Sequence, residues 1–341
     1  MKRIISMFAA VVCVLTLMTA CDKGSSTSGT TGSAAGKKIT VALLPKAKGN
    51  PYFSSCNEGA QAAAKELGNV EVIFDGPTDG SPEKAAEMID QWVLKKVDVI
   101  AISPMDPAVL APSMKKARDA GIKVITWDAD GEPGTRDFFV NQATAQAIGY
   151  AMVDTLAKDL GGDGAKGDVA IVTGSITAAN QNEWIKYMKE RLPKYPGLNL
   201  VATKPSDDKA PLAFSVTQDL MKAYPNLKGI YAITSVGFPA AADAIKQAGK
   251  AGEVMVTGLS TPNTMKPFVK DGTVKSVVLW NTQDLGYLTI YTARALADGT
   301  LKPGDTTLKA GHLGERKVEG DAVLLGDYLV FTKDNIDKYD F

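Results

Sequence analysis

The sequence predicts an α/β fold of two doubly wound lobes, each a parallel β-sheet with helices on both faces. The chain has 341 residues, which suggests two domains at about 150 residues per domain. Strand and helix patterns alternate over residues 38–142, and this order is typical of a parallel sheet. The alternation restarts at residue 143, so two similar lobes are the simplest arrangement.

The first half contains apolar runs bounded by turn residues, separated by segments with helical spacing. The second helix has the clearest start, because Ser81 can cap it and Pro82 suits a first helical position. Gly121 ends the third helix. The predicted strands are 39–44, 70–74, 97–102, 122–127 and 138–140, and the predicted helices are 56–67, 82–95 and 108–120.

The second half repeats this supersecondary order, again with short apolar runs between helical segments. Its predicted helices are 145–160, 182–192, 214–224, 240–248 and 263–270, and its predicted strands are 169–173, 198–203, 229–233, 254–259 and 274–279.

The first residues predict export. A positive Met1-Lys2-Arg3 start precedes an apolar run and small residues, the order of a secretory signal. The apolar run falls short of the roughly 20 residues of a membrane span, which disfavours a transmembrane anchor. The end of the run, LMTAC, resembles a bacterial lipobox, which implies lipidation of Cys21 after removal of residues 1–20. A plain signal peptide with an incidental cysteine is the alternative. Residues 21–37, rich in Gly, Ser and Thr, predict a flexible tether.

The composition excludes several function classes. Lys plus Arg and Asp plus Glu both number 38, so the basic surplus of a nucleic-acid binder is missing. Cys13 lies within the signal, and Cys56 has no partner besides Cys21, so we expect no disulfide in the mature chain and a buried structural thiol at Cys56. The single histidine, His312, has no second histidine for a metal site, and no cofactor is expected.

Polar and aromatic residues follow many of the predicted strands. Ligands of open parallel sheets bind beyond the carboxyl ends of the strands, so these residues predict a shared cleft. Amides, carboxylates and hydroxyls bond to the hydroxyls of a sugar, and aromatic faces pack on its ring. Taken singly, many of them could simply cap the next helix. The candidate ligand-binding residues are Lys46, Asn50, Phe53, Asp106, Asp128, Asn180, Gln181, Trp184, Ser235, Ser260 and Trp280.

Signatures of an enzyme are weak. The glycine-rich 161–167 segment precedes a strand and lacks the ending of a P-loop. Asp128 and Asp130 are two residues apart, so on an extended segment they point in opposite directions. We therefore expect a binding protein rather than an enzyme, with a glycosidase as the alternative from another class.

The chain from Lys38 to Phe341 resembles the periplasmic sugar-binding proteins of the ribose-binding type, which deliver ligands to ABC importers. The rhamnose-binding and autoinducer-2-binding receptors are most similar. The resemblance is carried, in order, by LLPKAKGNPYF, FDGPTDGS, ITWDAD, FFVNQAT, ANQNEWIKYMK, GLSTPNTMKPFVKDGTVK, LWNTQDLG and DNIDKYDF.

Within this family, individual positions favour a rhamnose-like deoxysugar. Lys46, Asp128 and Gln181 match the pattern of the autoinducer-2 receptors. Asn180 stands where those receptors have Asp, and Ile233 and Ser235 stand in place of Pro and Ala. The segments 180–184 and 234–237 resemble the rhamnose receptors instead. An autoinducer-2 receptor is the alternative function.

The resemblance implies a two-lobed protein whose lobes close on the ligand about three crossovers. We expect these near Gln142-Ala143, Trp280-Asn281 and Gly304-Asp305. The N-terminal lobe would then comprise residues 38–142 and 281–304, and the C-terminal lobe residues 143–280 and 305–341. The implied partners are a small sugar or sugar-like ligand and an ABC permease, with membrane contact only through the lipid anchor. We expect a monomer.

Lys46 supplies the first testable expectation. A lysine between a buried strand and a Pro/Gly turn has no capping role, so Lys46→Ala should weaken ligand binding by ~1–3 kcal/mol through loss of a charge-assisted bond. Titration calorimetry measures this, and an unchanged affinity would remove Lys46 from the site.

Overall fold

A computed structural model describes residues 37–341 of the chain. The predicted signal peptide, Cys21 and nearly all of the predicted tether lie outside the described residues. The described part begins with a βα alternation that matches the predicted order. Its elements are β1 (Ile39–Leu44), α1 (Pro51–Leu67), β2 (Val70–Phe74), α2 (Pro82–Lys95), β3 (Val99–Ile102), α3 (Pro107–Asp119), β4 (Lys123–Trp127) and β5 (Phe138–Asn141).

These strands are parallel, in the spatial order β5-β4-β3-β1-β2. Successive strands are therefore added on one side of β1 and then on the other, so a topological switch point lies between β1 and β3. Alternate residues of β1 enter different cores: Val41 and Leu43 pack in one cluster, while Ala42 and Leu44 pack in the other with Ile89 of α2. Both faces of this sheet are thus covered, as a parallel sheet requires.

The second lobe has its own parallel sheet, in the order β7-β6-β8-β9. β10 continues it through a parallel bridge between Leu259 and Val278. The switch point of this sheet lies between β6 and β8. The elements are α4 (Ala145–Asp159), β6 (Gly167–Thr173), α5 (Ala179–Arg191), β7 (Leu198–Pro205), α6 (Ala210–Ala223), β8 (Leu227–Ala232), α7 (Gly237–Gln247), β9 (Met255–Gly258), α8 (Pro262–Lys270) and β10 (Val277–Leu279). The predicted doubly wound α/β class is confirmed.

The last sixty residues differ from the predicted lobe assignment only over residues 305–324. They form a long helix, α9 (Thr282–Ala297), and four short strands, β11 (Thr307–Lys309), β12 (Glu315–Glu319), β13 (Ala322–Leu324) and β14 (Leu329–Phe331). β13 pairs in parallel with β5, and β12 and β11 follow it, so residues 307–324 extend the first sheet. The expected third crossover at Gly304-Asp305 is therefore wrong, because strand pairing keeps the chain in the first lobe until Leu324.

Three segments connect the lobes. The first follows β5, and the second lies between β10 and α9. The third lies between β13 and β14, because β14 pairs with β10 in the second lobe. Leu325 still donates its N–H to the carbonyl of Asn141 at 2.8 Å, so this crossover begins after Leu325.

Helix α9 packs directly on α1 with its backbone in close approach. A Cβ on Gly286 would lie 1.7 Å from the carbonyl oxygen of Cys56, and one on Gly59 would lie 1.8 Å from that of Gln283. Glycines at both contact points therefore allow this close spacing of the helices.

Cys56 is a buried free thiol at the same interface, as predicted, and burial raises its pKa well above the usual value. Among the described residues, no helix is long and apolar enough to cross a membrane.

The glycine contact gives a stability prediction. Gly286→Ala should lower the free energy of unfolding by about 1–3 kcal/mol, because the new methyl forces the two helices apart. Alanine otherwise favours a helix over glycine by about 1 kcal/mol, so a loss measures the steric clash. Urea unfolding gives the value. Gly164→Ala is the control, since a Cβ there meets nothing within 4 Å; equal stability of both variants would contradict the close packing.

Candidate functional site

A cavity lies between the two lobes at the carboxyl ends of both sheets. It encloses ≈ 420 Å³ of empty space, part of which is open to solvent. Its wall mixes charged, amide, hydroxyl and aromatic groups. The lining residues are Lys46, Asn50, Tyr52, Phe53, Asp128, Asn180, Gln181, Trp184, Asp208, Ile233, Thr234, Ser235, Leu259, Leu279 and Trp280.

A buried ion pair forms the first-lobe side of the cavity. Lys46 follows β1 and Asp128 follows β4, and their side chains are 8% and 6% exposed. The Lys46 Nζ lies 3.0 Å from Asp128 Oδ2. Asp128 has a left-handed backbone (φ 64°), an uncommon conformation for a residue other than glycine, and such residues cluster at functional sites.

Asp128 is also hydrogen-bonded on both carboxylate oxygens. Tyr52 donates its hydroxyl to Oδ1 at 2.8 Å, and Ser103 donates to Oδ2 at 2.9 Å. The Tyr52 oxygen in turn accepts the indole N–H of Trp280 at 2.9 Å. Burial, and then the charge of Asp128, raise the pKa of Tyr52 well above its usual value, so the phenol stays a donor. This chain of bonds connects Asp128 to the second crossover.

Aromatic rings form the apolar part of the wall. Trp184 and Trp280 meet edge to face with their ring centroids 6.2 Å apart, and Tyr52 packs against Trp280 at 6.0 Å. Phe53 packs edge-on against Trp127 beneath the cavity. These contacts fix the ring orientations, and Tyr52, Phe53, Trp184 and Trp280 all line the cavity.

The second lobe contributes two amides from the first turn of α5. Gln181 is buried, and its side-chain oxygen accepts from the Thr173 hydroxyl at 2.6 Å and from the Gly174 N–H at 2.7 Å. Asn180 contacts the first lobe: it accepts from Lys46 Nζ and donates to the carbonyl of Asp128, both at 3.4 Å. Asn180 therefore lies across the boundary between the lobes.

A second polar contact joins the lobes on the other side of the cavity. Asn50 caps α1 by accepting from the Tyr52 N–H, and its amide donates to the Ser235 hydroxyl at 3.1 Å. Ser260 supports this loop, because its hydroxyl donates to the carbonyl of Ser235 at 3.0 Å.

All but two of the predicted site residues line the cavity. Asp106 does not: it caps α3 through the N–H groups of Ala108 and Val109. Ser260 lies behind Ser235 rather than in the wall. Asp106 is thus a helix cap, the alternative that applied to each polar residue after a strand.

Three further polar residues, Tyr52, Asp208 and Thr234, line the cavity and are not among the predicted site residues. Tyr52 lies before residue 56, the predicted start of the first helix, whereas the Asn50 cap and Pro51 begin α1 five residues earlier. Asp208 follows β7, and its Oδ1 accepts a hydrogen bond from the Thr234 hydroxyl. Asp208 has a left-handed backbone conformation with a φ of 51°. No pattern in the sequence predicts this conformation.

Groups suited to metal binding or acid–base chemistry are sparse. The described residues contain no cluster of three His, Cys, Asp or Glu side chains that could hold a metal ion. Asp130 bonds to Arg136 and Thr126 and takes no part in the cavity wall. His312 lies at the surface beside Asp284.

This combination of fold and interlobe cavity defines a class of hinged, two-lobed binding proteins. Residues 41–301 match the model of the family described as periplasmic binding protein domain, and the chain belongs to this family. The resemblance found in the sequence is confirmed.

Several relatives are individually similar. The D-ribose/D-allose-binding protein of Pseudomonas aeruginosa is 29% identical over 80% of this chain and 86% of its own length. A solved structure of LsrB from Clostridium saccharobutylicum in complex with AI-2 is 30% identical, with a TM-score of 0.84 over 89% of this chain and 100% of its own. An ABC transporter solute-binding protein from Clostridium phytofermentas with bound L-rhamnose is 30% identical, with a TM-score of 0.83 over 89% and 98%.

The Tyr52 hydroxyl gives a prediction for the protein without ligand. Tyr52→Phe should lower the free energy of unfolding by about 1–3 kcal/mol, because it leaves the Trp280 N–H and Asp128 Oδ1 without partners in a buried site. Tyr291→Phe is the control, since its bond to Glu66 is exposed and water can replace the lost hydroxyl. Urea unfolding compares the two variants. An equal loss of unfolding free energy in both would show that the buried bonds of Tyr52 stabilise the protein no more than an exposed bond does.

Proposed function

We propose that this protein is the sugar-binding component of a carbohydrate ABC importer and that it holds a rhamnose-like deoxysugar in the interlobe cavity. The observation that carries the proposal is the composition of that cavity wall. It combines a buried Lys46–Asp128 pair, amides from the other lobe and the rings of Trp184 and Trp280. The relatives that bind ribose, allose, rhamnose and AI-2 support a small polyol ligand.

The polar groups suit a ligand with several hydroxyls. Lys46 is a donor only, Asp128 is an acceptor only, and the amides of Asn50 and Asn180 both donate and accept. A ring hydroxyl also donates and accepts, so these groups can bind adjacent hydroxyls of one ring. The aromatic wall suits the apolar face of the same ring, and a methyl group in place of a hydroxyl adds to that contact. Candidate contacts are Lys46, Asn50, Phe53, Asp128, Asn180, Gln181, Trp184, Ser235 and Trp280.

The residue at position 180 favours a sugar over autoinducer-2. Asn180 contacts both residues of the ion pair: its side-chain oxygen accepts from Lys46 Nζ, and its NH2 group donates to the backbone carbonyl of Asp128. An aspartate there, as in the autoinducer-2 pattern, would accept from Lys46 but could not donate to the carbonyl. The site thus offers a different set of donors to the ligand hydroxyls.

A receptor for autoinducer-2 is the second candidate. The similarity to LsrB in complex with AI-2 favours it, together with the matching positions Lys46, Asp128 and Gln181. Its ligand is also a small polyol, so the two candidates differ in ligand preference and not in architecture.

A glycosidase has little support from the site. Both oxygens of Asp128 are held by Tyr52, Ser103 and Lys46, and Asp130 is bonded to Arg136 outside the cavity. A glycosidase needs two carboxyl groups on opposite sides of one glycosidic bond. Turnover of a glycoside by the purified protein, abolished by Asp128→Asn, would overturn the binding function.

The lipobox-like sequence supports a membrane-anchored form that presents sugar to a permease. Diacylation of Cys21 would anchor the protein stably, because each buried methylene contributes about 0.8 kcal/mol. Cys21→Ser should move the protein from the membrane fraction to the soluble fraction; retention in the membrane would remove the lipid anchor from the proposal.

Titration calorimetry with L-rhamnose, D-ribose, D-allose and autoinducer-2 tests the function. We expect L-rhamnose or a related deoxysugar to bind most tightly. Tight binding of autoinducer-2 without binding of any sugar would favour the second candidate, and no binding by any of the four would contradict both.

A further inference from the structure

The second lobe holds a carboxylate in the cavity wall, Asp208, that sequence patterns do not indicate. It follows β7, and neither the predicted site nor the family resemblance includes it. Its environment differs from that of Asp128, which has a lysine and two hydroxyl donors. None of the Lys, Arg or His nitrogens in the described range lies within 4.0 Å of the Asp208 carboxylate, although the ion pairs there are numerous.

Local contacts hold Asp208 in an unusual backbone conformation. Asp207 and Asp208 both have left-handed φ values, 50° and 51°. The turn is fixed by the N–H of Asp207, which donates to the carbonyl of Gly174 at 3.0 Å, and by the N–H of Ser206, which donates to that of Thr173 at 2.8 Å. Two such residues in succession are uncommon outside glycine, and backbone strain of this kind clusters at binding sites.

The two carboxylate oxygens of Asp208 have different roles. Oδ1 accepts from the Thr234 hydroxyl, which fixes the orientation of the group. Oδ2 accepts no hydrogen bond from the residues that the structure describes. Gly174 permits the carboxylate to lie against the backbone, since a Cβ on it would be 2.9 Å from both oxygens.

Gln181 contacts the same glycine, because its side-chain oxygen accepts the N–H of Gly174 at 2.7 Å. Its side-chain oxygen is used twice, by the Thr173 hydroxyl and the Gly174 N–H, while its NH2 group donates to none of the described residues. Two residues that contact Gly174 and line the cavity thus offer a free acceptor, Asp208 Oδ2, and a free donor, Gln181 Nε2. A ligand hydroxyl can donate to the first while it or its neighbour accepts from the second.

Asp208 also sets the charge of the cavity. The charged residues of the wall are Lys46, Asp128 and Asp208. The first two neutralise each other, so the cavity carries a formal charge of one negative unit. A negatively charged ligand would meet this carboxylate at close range, where like charges repel strongly.

We propose that Asp208 is a ligand-contacting specificity residue, which with Gln181 binds a hydroxyl of the sugar and restricts the cavity to uncharged polyols. The proposal rests on the proposed function and adds to it a contact and a class of excluded ligand. Sugar acids and sugar phosphates belong to the excluded class.

The experiment has two arms, both by titration calorimetry on the purified protein. The first compares wild-type binding of L-rhamnose, D-ribose, D-allose and autoinducer-2 with that of D-galacturonate, L-rhamnonate and D-ribose 5-phosphate. We expect the tightest ligand to be uncharged. An anionic ligand that binds more tightly than every neutral one would overturn the charge argument.

The second arm measures the tightest ligand with Asp208→Asn and, as a matched control, Asp207→Asn. Asparagine tolerates a left-handed backbone, so both variants keep the turn. Asp207 has the same φ but is exposed and outside the cavity wall. Affinity should fall about tenfold or more in Asp208→Asn, through loss of a charge-assisted bond, and stay unchanged in Asp207→Asn.

The outcomes separate the two claims. Wild-type binding of a sugar together with equal affinities in all three proteins would overturn the role of Asp208 and leave the proposed function intact. An equal loss in both variants would assign the effect to the turn and also overturn that role. Absence of binding by the wild type would overturn the proposed function itself, and with it the proposal for Asp208.

Discussion

The candidate site depends on one buried ion pair, Lys46 with Asp128. Burial of two charges is costly unless each keeps good partners, and removal of one partner of such a pair typically costs about 3–5 kcal/mol. Here the carboxylate also accepts from Tyr52 and Ser103, which offsets its lost hydration. The pair lies at the carboxyl ends of β1 and β4 and is therefore held by the sheet itself. It forms a fixed polar surface in the first lobe that the second lobe can approach.

Polar side chains make direct contacts between the lobes at the cavity, and those of Asn180 are long. Asn180 reaches Lys46 and the Asp128 carbonyl at 3.4 Å, and Asn50 reaches Ser235 at 3.1 Å. The same groups are the candidate ligand contacts, so a bound polyol can replace long direct bonds with shorter ones from both lobes. A ligand favours one conformation only through such a difference in affinity between two states. We therefore propose that ligand binding favours closure of the lobes.

The sequence predicts local elements and the cavity's position well, because both follow from short patterns. Apolar runs mark the buried strands, and polar residues after them mark the cleft, as with Lys46 and Asp128. Pairing of β13 with β5 could not be predicted, since it depends on partners far apart in sequence. Asp106 and Asp208 look alike as acidic residues near strand ends. Only the backbone conformation separates a helix cap from a member of the cavity wall.

A crystal structure of the protein with L-rhamnose tests the central claim most directly. We predict one sugar ring in the interlobe cavity, with hydroxyls bonded to Lys46 and Asp128 of the first lobe and to Asn180 or Gln181 of the second. The apolar side of the ring should lie against Trp184 or Trp280. A sugar bound on the outer surface, or one that contacts a single lobe and leaves the ion pair without a ligand contact, would contradict the account.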